Sequence, residues 1–322
     1  MLYLKSRLFE APILAKEILQ HALDSRADYI WIFLNSPYLI SLAKALAKQK
    51  SIPLLATVWD PPERFAEDIK VHNLANKMTL TDFEFVIRNS KQLGVASEGM
   101  KEEYLKRFQK NSVILIHGLP KDYQRQPITS PHSTHEFVIG FAGNMYAVKE
   151  WQALLDTLAN LKWKLEGRQV RIRLLGTNAL LHSLSPNMQV EYLGWRSMEQ
   201  TIDILSSSDL AYLPYWLDEE HRYITSMCFP NKMSIYLAAG IPIFYHGPVT
   251  GSPAEFMKKY PVGLGCHSLD IAEIAKTLEQ FVTSDSIYKT AAKAIELAID
   301  EELNLSVFQK RFYDLIGLES YM

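Results

Sequence analysis

The chain has 322 residues, 48% of them hydrophobic and 22% charged, with a formal net charge of −2. That length allows two domains with cores of their own, and that composition excludes a disordered chain. The charge gives no electrostatic footprint for nucleic acid, and no stretch approaches the roughly 20 apolar residues that span a bilayer. The N-terminus MLYLKSRLFEAP carries Lys5, Arg7 and Glu10 and reads as no signal peptide. Cys228 and Cys266 form neither a metal-spaced pair nor a disulfide framework, so a reducing cytoplasm is expected.

In chain order, Pro12–Leu23 reads as a helix and Tyr29–Leu34 as a buried strand. Tyr38–Lys48 is helical, with Leu39, Leu42, Ala43 and Leu46 on one face, and Ile52–Val58 is the next strand, ending at Trp59-Asp60-Pro61-Pro62. A helix over Leu74–Lys91, a strand over Leu93–Ala96, a Ser97-capped helix over Glu98–Phe108 and a strand over Val113–Ile116 complete the first half. The Pro-, Ser- and Thr-rich stretch Pro120–Glu136 reads as the interdomain linker.

The second half repeats the rhythm. Phe137–Phe141 is a strand running into Gly143-Asn144, followed by a helix with Trp151, Leu154, Leu155, Leu158 and Leu161 at helical spacing. Strands over Val170–Leu175, Val190–Leu193 and Leu210–Leu213 follow, and Ser197 with Gln200 spells a capping box. Helices marked by Ile271, Ile274, Leu278 and Phe281, and by Phe308, Phe312, Leu315 and Ile316, close the chain. Alternating strands and helices imply parallel, doubly wound sheets in two Rossmann-like domains.

In such sheets ligands bind beyond the carboxyl ends of strands. The second-half candidates are therefore Gly143 and Asn144, Gly194, Trp195 and Arg196, Tyr215 and Trp216, and His246 and Gly247. Between Trp216 and His246 lies Ser226–Pro242, SMCFPNKMSIYLAAGIP. Asn231 is expected to N-cap a short helix that Gly240 stops and Pro242 prevents from continuing. The exposed N–H groups of that helix start, with Lys232 on the same turn, offer an anion site, the competing reading being an ordinary helix–strand connection.

The segment FPNKMSIYLAAGIPIFYHGP resembles the donor-binding segment of GT-B fold glycosyltransferases, particularly the retaining family-4 type. IGFAGNMYAVKE (Ile139–Glu150) and VEYLGWRSMEQTIDILSSSDLAYLPY (Val190–Tyr215) agree in order and spacing. The resemblance covers the C-terminal half well and the N-terminal half loosely. It implies an α/β fold of two Rossmann-like domains facing a cleft, with a shortened N-terminal domain. The divisions are an acceptor-side domain over 1–122, a linker over 123–136, a nucleotide-sugar donor domain over 137–300 and a C-terminal helix over 301–322 that packs back on the first domain. It implies hexosyl-type transfer from a nucleotide diphosphate sugar to an acceptor hydroxyl, with retention and without cofactor or obligatory metal. Lys149 matches the lysine that relatives place on the donor diphosphate, and Asp60 stands near where relatives have His-Asp beside the transferred sugar.

The chain departs from the family pattern at three positions. The usual arginine after the glycine is Asn144, and the two usual glutamates are Met227 and Ile235. Two other readings stay open: a non-catalytic nucleotide-sugar-binding or partner subunit, and a nucleotide-sugar epimerase. For Asp60 the competing reading is a turn-capping residue before proline; Asp218-Glu219-Glu220 could supply acid from a loop, the competing reading being a solvated acidic turn. The absence of G-x-G-x-x-G, G-x-x-x-x-G-K-[ST], H-E-x-x-H and G-x-S-x-G disfavours nicotinamide, P-loop, zincin and serine-hydrolase chemistry. A shortened first sheet would leave an edge open, so either association through the N-terminal domain, with a second copy or another chain, or poor catalysis by the chain alone is expected.

Overall fold

The computed structural model describes residues 5–68, 73–176 and 188–318. They form two compact Rossmann-like units. The first comprises Met1–Ile116, Ser226–Phe229 and Phe308–Met322; the second comprises His117–Thr225 and Pro230–Val307.

In the first unit, β1 (Ile30–Phe33), β2 (Leu54–Val58), β3 (Gln92–Val95) and β4 (Val113–Ile114) form a parallel sheet in the order β1-β2-β3-β4. β2 is buried along its whole length, as a parallel strand covered on both faces must be. The helices Pro37–Gln49 and Glu98–Phe108 begin where the sequence offers a hydroxyl cap: Ser36 accepts from the Leu39 N–H at 3.3 Å and Ser97 from the Met100 N–H at 3.1 Å. The Pro61-Pro62 pair, read only as a strand stop, also opens a short helix, Pro62–Asp68, because proline's fixed φ suits a first helical turn. At the β1 edge the Trp31 indole donates to Thr57 Oγ1 at 2.8 Å, and its ring lies 4.6 Å from that of Phe312 in the last helix, Leu305–Ile316.

The second unit holds β5 (Glu136–Gly143), β6 (Lys164–Leu165), β7 (Arg168–Gly176), β8 (Val190–Gly194), β9 (Leu210–Pro214), β10 (Ile243–His246) and β11 (Gly263–Cys266). The main order is β11-β10-β9-β5-β7; parallel β8 and the short antiparallel β6 both pair with β7. Phe137, Ile139 and Phe141 of β5 pack against Trp151, Leu154, Leu155 and Leu158 of the helix Val148–Asn160, with Tyr212, Phe244, Leu278 and Phe281 completing the core. The Ser197–Gln200 capping box forms in both directions.

Three expectations change. Pro230, not Asn231, occupies the N-cap of the helix Asn231–Ala238; Asn231 is its exposed first residue and makes no capping hydrogen bond. The stretch read as a linker is bound along the second unit, because its backbone donors find acceptors there: Arg125 N–H to Ala238 O at 2.8 Å, Ile128 N–H to Gly240 O at 2.9 Å and His132 N–H to Asp209 Oδ1 at 2.7 Å. Gly240, at φ +72°, lets that stretch pass; a Cβ there would sit 2.7 Å from Gln126 O. Finally, the helices Ser252–Lys259 and Asp285–Ala298 and the strands β6 and β11 were not foreseen. Among the described residues no helix is long and apolar enough to cross a membrane.

Candidate ligand site at the switch point of the second sheet

β5 is the first strand of its unit yet lies at the sheet's centre. The chain winds outward on one side through β7 and β8, then returns to the other side of β5 for β9, β10 and β11. The reversal between β5 and β9 is a topological switch point, where loops from neighbouring strands diverge and leave a crevice. β5, β7 and β8 leave the sheet at Gly143, Gly176 and Gly194, each at positive φ (+96°, +90° and +69°).

Lys232 comes to this point from the start of the helix Asn231–Ala238. Its side chain lies across Gly143, where an added Cβ would stand 3.3 Å from Lys232 Cε. Its ammonium sits 4.4 Å from the Tyr146 ring centre and 5.7 Å from that of Phe141. Cation–π contact with two rings fixes the charge at the crevice. Lys149 extends from the helix that follows Gly143, is mostly exposed, and pairs with Asp218 at 3.5 Å. Gly143, Lys149 and Lys232, named from three separate sequence positions, are thus tied to one pair of loops.

Tyr146 and His221, which sequence reasoning missed, lace those loops together with Trp216 and Asp218, which it named. Trp216 Nε1 donates to Tyr146 O at 3.1 Å, and the two rings lie 4.6 Å apart. The His221 ring stacks on Trp216 at 4.3 Å with 9° between planes, while Nδ1 contacts Asp218 Oδ1 at 2.5 Å. Asp218 caps the turn Glu219–His221. Partial burial works to raise the Asp218 carboxyl, but the side-chain and backbone hydrogen bonds from His221 outweigh it and hold the group below its usual range. The acidic turn is therefore a structured one, with Asp218 shared between His221 and Lys149.

Glu150 is another missed group. It is 1% exposed, and its Oε1 accepts the Leu217 N–H at 2.8 Å, so it pins the loop after β9. Its Oε2 is buried without a hydrogen-bond partner. Burial pushes this carboxyl up, against the opposing hydrogen bonds from Leu217 and its own N–H. The available signal was a carboxylate next to the buried Trp151 rather than on the solvent face.

The other candidates divide. Trp195 is 70% exposed at the tip of the β8 loop, and Arg196 turns back to donate from Nη1 to Trp195 O at 2.9 Å. Asn144 and Asn231 are exposed near the two loop starts. Tyr215 is buried, forming a floor with Tyr146 at 5.8 Å and Tyr245 at 6.5 Å. His246 is a correction. It is fully buried, its Nδ1 accepts from Tyr212 OH at 2.9 Å, and its Nε2–H donates to Ser268 O at 2.7 Å. Both ring nitrogens are spent inside the core, which leaves none to meet a ligand, and burial lowers the imidazole pKa to about 4. Met227, at one of the expected glutamate positions, is 2% exposed in the first unit; Ile235, at the other, is half-buried in the second.

Asp60 follows β2 in the first unit as expected. It forms an ion pair with Arg64 one helical turn on and accepts the Cys228 thiol at 3.1 Å, with about a third of its side chain exposed (32%). Burial, then the neighbouring Asp60 charge, pushes the Cys228 thiol well up, so Cys228 stays protonated and acts as a donor to the carboxylate.

No family model matches the chain, and no curated protein sequence does. Solved structures match along most of it. Sucrose-phosphate synthase from Thermosynechococcus elongatus matches 95% of this chain and 77% of its own, with a TM-score of 0.73 at 14% identity. A glycosyltransferase from Rickettsia africae matches 95% of this chain and 80% of its own, at 0.66 and 14%. WaaG, described as a glycosyltransferase involved in lipopolysaccharide biosynthesis, matches 87% and 82%, at 0.60 and 12%. The likeness is one of fold: this chain has the GT-B fold of the glycosyltransferases.

Proposed function

We propose that the protein is a glycosyltransferase that moves a hexosyl-type sugar from a nucleotide diphosphate sugar to an acceptor hydroxyl, with retention at the anomeric carbon. The observation that carries this reading is Lys232 lying across Gly143 at the switch point of a GT-B fold. In this reading Lys232, Lys149 and the N–H groups opening the helix Asn231–Ala238 take the diphosphate. Negative charge grows on the leaving diphosphate as the glycosidic bond breaks, and fixed cations oriented beforehand lower that barrier. Lys149 would exchange its Asp218 partner for a phosphoryl oxygen. Trp195 offers a face to the nucleotide base, and Asp60 offers its carboxylate to the sugar or acceptor.

The test is incubation of the pure protein with a panel of nucleotide sugars, first by thermal shift and then by assay of released nucleoside diphosphate and product anomer. A ligand at 100 times its dissociation constant adds about 2.7 kcal/mol of stability, readily seen in a melt. Stabilisation by one donor with transfer and retention supports the proposal. A donor that binds without turnover supports the second reading, a nucleotide-sugar-binding subunit, which Met227 and Ile235 at the expected glutamate positions favour. Absence of stabilisation by any nucleotide sugar contradicts both.

A further inference from the structure

The first unit holds a second concentration of charge, away from the strand carboxyl ends. A cavity of about 300 Å³ opens between the N-terminal helical segment that includes Ala11–Asp24, the helix Pro37–Gln49, and Asn73–Asn89. Arg7, Lys16, Lys44 and Lys48 line it, with Asp82 the sole carboxylate among its lining residues. The helix Pro37–Gln49 starts beyond the carboxyl end of β1 and runs back against the strand direction. Lys44 and Lys48, in its last half, therefore stand toward the amino ends of the strands. The pocket is not a continuation of the Asp60 region.

Its floor is built rather than incidental. The Asp82 side chain has no exposure; it accepts from Arg7 Nε at 2.5 Å and Arg7 Nη2 at 2.8 Å, and forms an ion pair with Lys44. Burial alone would raise this carboxyl, but the hydrogen bonds from Arg7 and Lys44 hold it below its usual range. Asp82 is thus a fixed anion that orients two cations whose own side chains are only about a fifth exposed (20% and 21%). One carboxylate does not balance four lining cations, and neither Lys16 nor Lys48 has an ion-pair partner among the described residues. Partly desolvated cations held in place attract an anion more strongly than the same charges on an open surface. The volume lies at the small end of ligand sites, suited to a headgroup-sized anion.

We propose that this pocket binds a phosphoryl group, with Arg7 and Lys44 as its preset base and Lys16 and Lys48 closing over the anion. The phosphoryl group comes from one of two sources, a small soluble phosphate ester or a phospholipid headgroup. Leu8 on the pocket rim, with Phe9 and Ile13 beside it, is more than half exposed (57%, 64% and 59%), which suits the lipid source.

The experiment uses the full chain and two probes. Calorimetry measures inorganic phosphate and glycerol 3-phosphate; flotation measures vesicles of phosphatidylcholine and phosphatidylglycerol in equal parts against phosphatidylcholine alone. Binding of the solutes assigns a soluble ester, and binding of the anionic vesicles alone assigns a headgroup; either supports the pocket. The paired substitution Lys16→Glu with Lys48→Glu touches only exposed side chains. It should weaken the observed binding by roughly tenfold or more with an unchanged melting temperature. Lys16→Arg with Lys48→Arg should retain binding, and Lys232→Ala should not affect it, which separates this pocket from the second-unit site. Failure of both probes to bind, or equal binding by the Glu variant, overturns the proposal.

Discussion

His246 makes the stability of the second unit depend on pH in a calculable way. The folded protein holds the ring neutral between Tyr212 OH and Ser268 O, with its pKa lowered from 6.5 to about 4 by burial. The unfolded chain, with the ordinary value, binds a proton throughout the interval between them. Because the unfolded state then carries more protons, stability contributed by this residue is complete above pH 6.5 and declines as pH falls toward 4. Between pH 8 and pH 5 the loss from this one group is about 2 kcal/mol. Urea unfolding at both pH values, on the wild type and on His246→Gln, isolates it, since glutamine can accept from Tyr212 and donate to Ser268 but does not titrate. The variant is expected to be less stable at pH 8, yet to lose about 2 kcal/mol less than the wild type on acidification. The same loss in both proteins would refute the assignment of His246 to the core.

Other substitutions test individual contacts. Gly143→Ala forces an L-residue to φ +96° and brings Cβ to 3.3 Å from Lys232 Cε; it should cost about 1–2 kcal/mol in urea unfolding and weaken nucleoside diphosphate binding as Lys232 is displaced. Asp209→Ala removes the acceptor of both the His132 N–H (2.7 Å) and the Val138 N–H (2.6 Å), and should destabilise by about 2–4 kcal/mol, with hydrogen exchange accelerated at the start of β5. Asp60→Asn weakens a partly exposed ion pair with Arg64 and keeps a side-chain oxygen that can accept the Cys228 thiol, so its stability cost should stay within about 1 kcal/mol. If Asp60 meets the sugar, turnover should fall while nucleoside diphosphate affinity holds; parallel loss of stability and activity would mark it as structural.

Where hydrophobic runs and caps were dense, sequence and structure coincide. Leu54–Val58 and Leu210–Pro214 are strands buried at every position, and Ser97 and Ser197 begin the helices their spacing predicts. β11 was illegible because its sequence, GLGC, has the composition of a turn. The strand pairing itself demands that composition, since a Cβ on Gly263 would meet Ile243 O at 1.9 Å. The helix Asp285–Ala298 went unread because its buried face is largely alanine, at 291, 292, 294 and 298, with Tyr288 and Ile295 its only large buried side chains. At the candidate site, strand-end reasoning named Gly143, the helix start named Lys232 and the family resemblance named Lys149, and the structure lays Lys232 across Gly143. Strand-end reasoning overreached at His246, because a residue ending a central strand can turn inward as readily as out. Glu150, Tyr146, Trp216 and His221 act through contacts between loops far apart in the chain, which no local spacing encodes.

The central claim is that Lys232, held on Tyr146 across Gly143, receives the diphosphate of a nucleotide sugar. The most direct measurement is calorimetric titration of the wild type, Lys232→Ala and Lys149→Ala with the nucleoside diphosphate of whichever donor stabilises the protein. Each substitution is expected to weaken binding by about 1.5–3 kcal/mol, roughly ten- to a hundredfold. Unchanged affinity in both variants would contradict the account.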